Sequence, residues 1–313
     1  MPAGGTYTVQ IITGNSNTDH KDGVDFLLQG CGHHTTTTTT TSTTTTTKTS
    51  STSTTSTTTT TTPPTTAPVC QCAQVPFLAA REGKINNDAS VGASVGVNNP
   101  GARLRFGKNV ILSDGTVVEA DTVQIGNASS VDNVLANTLI QGAGATIRGT
   151  KGTPTLPIIQ PFCSIPAITC GTSTVQVAPG ASVGPLTPGT YGRLNVLNGG
   201  TLSLQAGTFT FCAVKLGRSA ALTTQGPTII NVAGDVVIGT ASRFGPAAGT
   251  APVSVNVGGK LTRVSQSAFA NASFVAPTGR ITFGRDSHLL GCYCTDREKT
   301  DKHITLECPA PLP

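Results

Sequence analysis

The chain has 313 residues, of which 11% are charged and 4% aromatic, with 36 glycines, one Met, no Trp and a formal net charge of +5. That composition excludes a helical protein, which needs more Ala, Leu, Glu and Lys, and it lacks the mixture usual in an enzyme core. One long β domain plus a tail fits the length, and no apolar run approaches the ~18 residues of a transmembrane helix.

Residues 1–34 form a small segment of their own, with TYTVQIIT alternating like one strand. NSNTDHKDGVD surrounds a glycine with oxygen ligands, but Lys21 falls where a calcium loop needs a third acid. Cys31-Gly-His33-His34 has no second ligand pair at zinc-finger spacing. No metal site and no cofactor are expected. Residues 35–69 are a Thr/Ser/Pro-rich linker that has nothing to bury and cannot offset the entropy cost of folding. Stretched at about 3 Å per residue, its Thr tract is a stalk roughly 100 Å long whose hydroxyls suit O-glycans.

From Gly189 to Gly291 the chain keeps a beat. GTYGRLNVLNGGTLSLQ, AGTFTFCAVKLGRSAALTTQ and GPTIINVAGDVVIGTASRFG each open on a small residue, pulse with β-formers and spend Gly, Asn or Ser on a corner. A period near 20 residues is the mark of a solenoid, in which no coil buries its apolar face alone. The reading is all-β: a single-stranded parallel β-helix over 70–295, right-handed because strict hexapeptide periodicity is missing. Val196, Leu202, Phe211, Leu216, Ile230, Val232, Val236, Ile238, Val255, Val257, Leu261, Ile281 and Phe283 should point into one core. Residues 85–149 read as an earlier series of coils. The prolines of TPTLPIIQPFCSIPAITC would break a ladder, which predicts an excursion over about 150–188. The polar stretch 296–313 reads as a C-terminal cap or tail.

Nine cysteines point to an oxidising compartment, and the odd count leaves one without an internal partner. MPAGGTYTVQIITGNSN shows neither a basic start nor an apolar run of signal-peptide length, so cysteine usage alone carries the extracellular or cell-surface expectation. Cys70, Cys72, Cys292 and Cys294 could hold zinc only if the ends of the solenoid met, and stacked coils keep their ends apart. Local disulfides are therefore expected, Cys163 with Cys170 and either Cys292 or Cys294 with Cys308.

Signals for catalysis are thin. GASVG occurs at Gly92–Gly96 and again at Gly180–Gly184, but neither copy precedes the helix that a nucleophile elbow requires, and both read as corners. Asp114, Glu119, Asp121 and Asp132 are the one acidic cluster, placed where solvated corners are expected. Lys215 and Arg218 share their spacing with Lys260 and Arg263 in coils two layers apart, which predicts a basic stripe for an anionic envelope polysaccharide. Platforms for stacking nucleic-acid bases are missing, so no nucleic acid is expected.

GTYGRLNVLNGGTLSLQAGTFTF, TIINVAGDVVIGTASRFG and ASFVAPTGRITFGRDSHLLGCYC, within about residues 172–295, resemble the β-helical domains of bacterial surface and pilus-associated proteins, and more distantly the polymer-forming bactofilins. The resemblance implies a β-helix in an anchoring or scaffolding role without catalytic residues. The expected function is thus a non-enzymatic structural or adhesive protein on a Thr-rich stalk. Its alternatives are a polysaccharide-cleaving β-helix enzyme and a self-associating scaffold.

Overall fold

A computed structural model describes residues 75–160, 162–247 and 252–307. The segment 1–34, the linker 35–69, Cys70, Cys72 and Cys308 lie outside the described residues. Every described element is a strand, so no helix among these residues is long and apolar enough to cross a membrane. Short runs of Val, Ile, Leu, Phe and Thr cut by Gly, Asn and Ser favour short strands. They form three-sided coils, each stacked on its neighbours by parallel pairing.

One side of the stack is an eleven-stranded sheet. The other two share a seventeen-stranded sheet, because five long strands cross a corner and serve both sides: Phe77–Ile85, Val117–Ile125, Asn133–Gln141, Ser273–Phe283 and Tyr293–Thr300. The all-β parallel solenoid expected from the sequence is therefore the observed fold. Of the thirteen side chains expected inside, twelve are buried. Leu261 is the exception, because its strand Leu261–Val264 turns Thr262 and Val264 inward.

The order of layers departs from chain order. Along the eleven-stranded side the strands run Ser182–Leu186, Thr201–Leu204, Ala221–Thr224, Arg243–Pro246, Phe269–Asn271, His288–Leu290 and Thr305–Glu307. They then continue with Ser90–Val91, Ile111–Leu112, Ser130–Val131 and Thr146–Ile147. The last layer of the chain thus stacks on the first, with Phe77↔Tyr293, Leu78↔Cys294, Lys84↔Lys299 and Ser90↔Thr305 in register. The stretch expected as a terminal cap is instead interior sheet over its described part. Its inward residues Thr295, Glu298 and Thr300 made it read as a polar tail.

This seam places the beginning and the end of the described chain in the middle of the stack. The two outer layers come from mid-chain, around Thr146 and Ser182, and a strap, residues 153–160 and 162–174, returns the chain from one end to the other. The excursion is shorter than expected, because Val175–Val177 and Ser182–Leu186 already belong to the outermost layer. That layer pairs on one flank only, which is where a strand tolerates Pro185.

The strap descends one side of the stack layer by layer. The Thr155 amide donates to the Glu119 carboxylate at 2.8 Å, and the Ile159 amide donates to Asn98 Oδ1 at 2.8 Å. Ile158, Ile159 and Phe162 pack on Val75, Leu78 and Cys294. Gly96 lies beneath, where a Cβ would stand 2.7 Å from Ile158 Cδ1. Disulfides Cys163–Cys294 and Cys170–Cys212 staple the strap down, with Cα atoms 6.4 and 5.0 Å apart. These pairings correct the expected Cys163–Cys170 bond and the pairing of Cys294 with Cys308. A strap running along the axis carries its two cysteines to different layers, so each meets the coil below it.

One corner repeats through all eleven layers. Gly180, Gly199, Ser219, Ala241, Ser267, Asp286, His303, Asp88, Asn109, Ala128 and Gly144 occupy it in spatial order, with φ between 53° and 68°. Eight of these lack glycine's freedom at positive φ. In ten of the layers the N–H of this residue donates to a carbonyl of the next layer at 2.8–3.2 Å, and this ladder holds the strained conformation.

Candidate functional site

The side that leads into this corner carries strands of the form Arg103-Leu-Arg105-Phe106, Arg280-Ile281-Thr282-Phe283 and Arg297-Glu298-Lys299-Thr300, which alternate outward and inward. Parallel in-register pairing stacks each outward position into a column with layers about 4.8 Å apart. One column reads Asn195, Lys215, Val237, Arg263, Thr282, Lys299, Lys84, Arg105, Gln124. The neighbouring column reads Leu261, Arg280, Arg297, Glu82, Arg103, Thr122. With Arg193 and the corner residues Lys108, Arg218, Arg285 and Lys302, this side gathers 13 of the 18 described Lys and Arg residues.

Of the four residues expected as a stripe, Lys215 and Arg263 share a column two layers apart, as the spacing implied. Arg218 sits one corner further on, where its N–H donates to Asn198 Oδ1 at 2.9 Å. Lys260 lies across the strand Leu261–Val264 from that corner, and the corner position equivalent to Arg218 is Gln266. The four therefore do not form one line. Lys84, Arg103, Arg105, Arg297 and Lys299 were missed. Their basic/apolar alternation was readable, but only the seam brings them beside Arg263.

Charge balance differs between the two columns. At the seam Arg297, Glu82 and Arg103 alternate in sign, and Arg81 makes a bidentate ion pair with Asp296. In the other column Lys299, Lys84 and Arg105 are consecutive, exposed and without a carboxylate among them. Of the acids at the nearby corner, Asp286 lies 3.4 Å from Arg285, while Asp301, at the end of the groove, and Asp88 accept from the Lys302 amide and from Asn109 at 2.9 Å and keep their charge. A shallow groove of about 600 Å³ runs along the column between Arg263, Thr282, Lys299 and Lys302.

The other sequence candidates separate. Asp114 is highly exposed and pairs with Arg148 at 3.1 Å, whereas Glu119 is buried against the strap. Asp121 accepts from Asn137, and Asp132 accepts from the Gly115 amide. All four carboxylates are thus engaged in structural bonds rather than gathered around one cavity. Of the GASVG copies, the first lets Ser94 accept from the Val117 amide, and the second opens on the corner residue Gly180. The premise that the first and last coils stay apart is overturned for the described residues by the pairing Leu78↔Cys294, but Cys294 is bonded to Cys163. No cluster of three metal-ligating residues occurs among the described residues.

Inside the stack, Glu298 faces Gly83 and Ile281, and burial raises its pKa from 4.5 to about 8. Tyr293 lies one side away with its hydroxyl buried, and desolvation pushes its pKa well up. No family model, curated protein or solved structure matches the chain.

Proposed function

We propose that this protein is a non-enzymatic structural or adhesive β-helix, exported from the cell or displayed on its surface, that docks an anionic envelope polysaccharide on its basic side. The observation carrying this reading is the concentration of 13 of 18 described basic residues on one side and its corner. A regular surface with so large an excess of one sign incurs self-repulsion that a polyanion relieves. Two disulfides support an oxidising compartment. Binding of the full chain to immobilised acidic and neutral polysaccharides, at low and high salt, tests the reading. Salt-sensitive retention on acidic polymers alone is expected. Equal retention on neutral polymers, or retention indifferent to salt, would remove its basis. Release of reducing ends from the bound polymer would favour a polysaccharide-cleaving enzyme instead.

A further inference from the structure

The uncompensated column lies where the two ends of the described chain meet. Lys299 belongs to the last described strands, Lys84 and Arg105 to the first, and they occupy three consecutive layers. Like charges aligned at layer spacing oppose the pairing of their strands. Across the same seam the adjacent column alternates in sign and the Arg81–Asp296 pair is made, so one edge of the joint is electrostatically closed and the other is not. Thr282, Gln266 and Asn86 line the groove beside the open edge; their side-chain donors bond Thr262, Asp286 and Thr300, which leaves their oxygens to accept from hydroxyl groups.

We propose that Lys299, Lys84 and Arg105, extended by Arg263, form a site for a linear acidic polysaccharide lying parallel to the solenoid axis. The bound chain presents about one carboxylate per layer and clamps the seam between the two parts of the sequence. This rests on the reading that the basic side docks an acidic polymer, and it adds the place, the direction and a consequence for the fold. A polyuronate suits the column, because each sugar brings one carboxylate and advances by about one layer. Nucleic acid suits it less. Phosphates of one strand recur every ~3.4 Å against ~4.8 Å for layers, and Phe106 and Phe283 on these strands point inward, away from any base. A ligand that binds only the closed seam stabilises it by mass action.

The test uses the full chain with polygalacturonate and its oligomers of graded length. Hydrogen exchange is followed at amides that bond across the seam, Asn86 to Thr300, Ser90 to Ile304 and His303 to Asn87, and at the distant strand Ala213–Leu216. The expected result is selective slowing at the seam, with affinity rising until the oligomer reaches from Arg263 to Arg105. Replacing Lys84, Arg105 and Lys299 together by Ser should lower affinity by about tenfold or more and remove the selective slowing. Replacing Lys151 and Arg243, exposed residues that lie off the basic side, should do neither. Without polymer, Lys84→Gln should raise Tm, since it removes repulsion; a fall in Tm would mean that the lysine holds the seam by itself, and the clamp would be refuted. Polymer that binds but protects all layers alike, or that ignores the triple substitution, overturns this site and leaves the broader reading standing. DNA bound with equal affinity and equal seam protection overturns the assignment of ligand class. No binding of any acidic polymer overturns both.

Discussion

Glu298 is a carboxyl placed among apolar side chains, 3% exposed, with one oxygen unpartnered. Desolvation is the cause of its raised pKa, so the folded protein holds the proton that the unfolded chain releases. The stabilising effect is complete below about pH 4.5 and is lost as pH rises towards about 8, on the order of 5 kcal/mol in all. Glu298→Gln should flatten this decline, read as denaturant midpoints measured across that interval. A second prediction concerns the corner. Ala128 and Ala241 hold φ of 55° and 54° without a polar side chain to compensate. Replacing either by Gly should stabilise by about 0.5–1 kcal/mol, seen as a higher Tm. Sequence gave no notice of either feature. TDREKT reads as solvated surface until a neighbouring layer fixes which of its residues face inward, and Ala in a corner looks like any other small residue.

At the level of elements, the strap shows what local pattern can and cannot convey. Its prolines mark it plainly as outside the ladder, and Cys163 and Cys170 were singled out as bonded. Their partners were not readable, because partner choice depends on the direction in which the strap crosses the layers. Cys212, seated at the corner before the strand Ala213–Leu216, looked like part of an ordinary coil. Replacing Cys170 and Cys212 together by Ser opens a bond spanning 42 residues and should cost about 4 kcal/mol by the chain-entropy argument. The expected outcome is a clear fall in Tm and earlier protease cleavage between Ile165 and Ile168. An unchanged Tm would mean that packing alone holds the strap.

For the molecule as a whole, coils are chemically interchangeable, and that is why the fold class was legible while the layer order was not. Any strand with the right inward side chain can stack on any other, and nothing within Phe77–Ile85 announces that Tyr293–Thr300 is its neighbour. The basic site inherits the same blindness, since half of it lies on each flank of the seam. If layer order rather than chain order sets stability, the strap is dispensable as a connection. A permutant joining the residues after Glu307 to those before Val75, and opened between Gly152 and Val175, should retain the eleven-layer sheet, checked by circular dichroism and hydrogen exchange. The seam also has a bearing on biosynthesis. An ordinary solenoid can grow from one end as it leaves the ribosome, each coil settling on a finished one. Here the coils of 77–152 and of 175–290 are complete while the gap between them is still empty, with an open sheet edge on either side. The closing pieces, Tyr293–Thr300 and Thr305–Glu307, are translated after both and must enter between them. A ribosome stalled a few residues short would therefore leave not a shortened rod but two exposed edges facing each other.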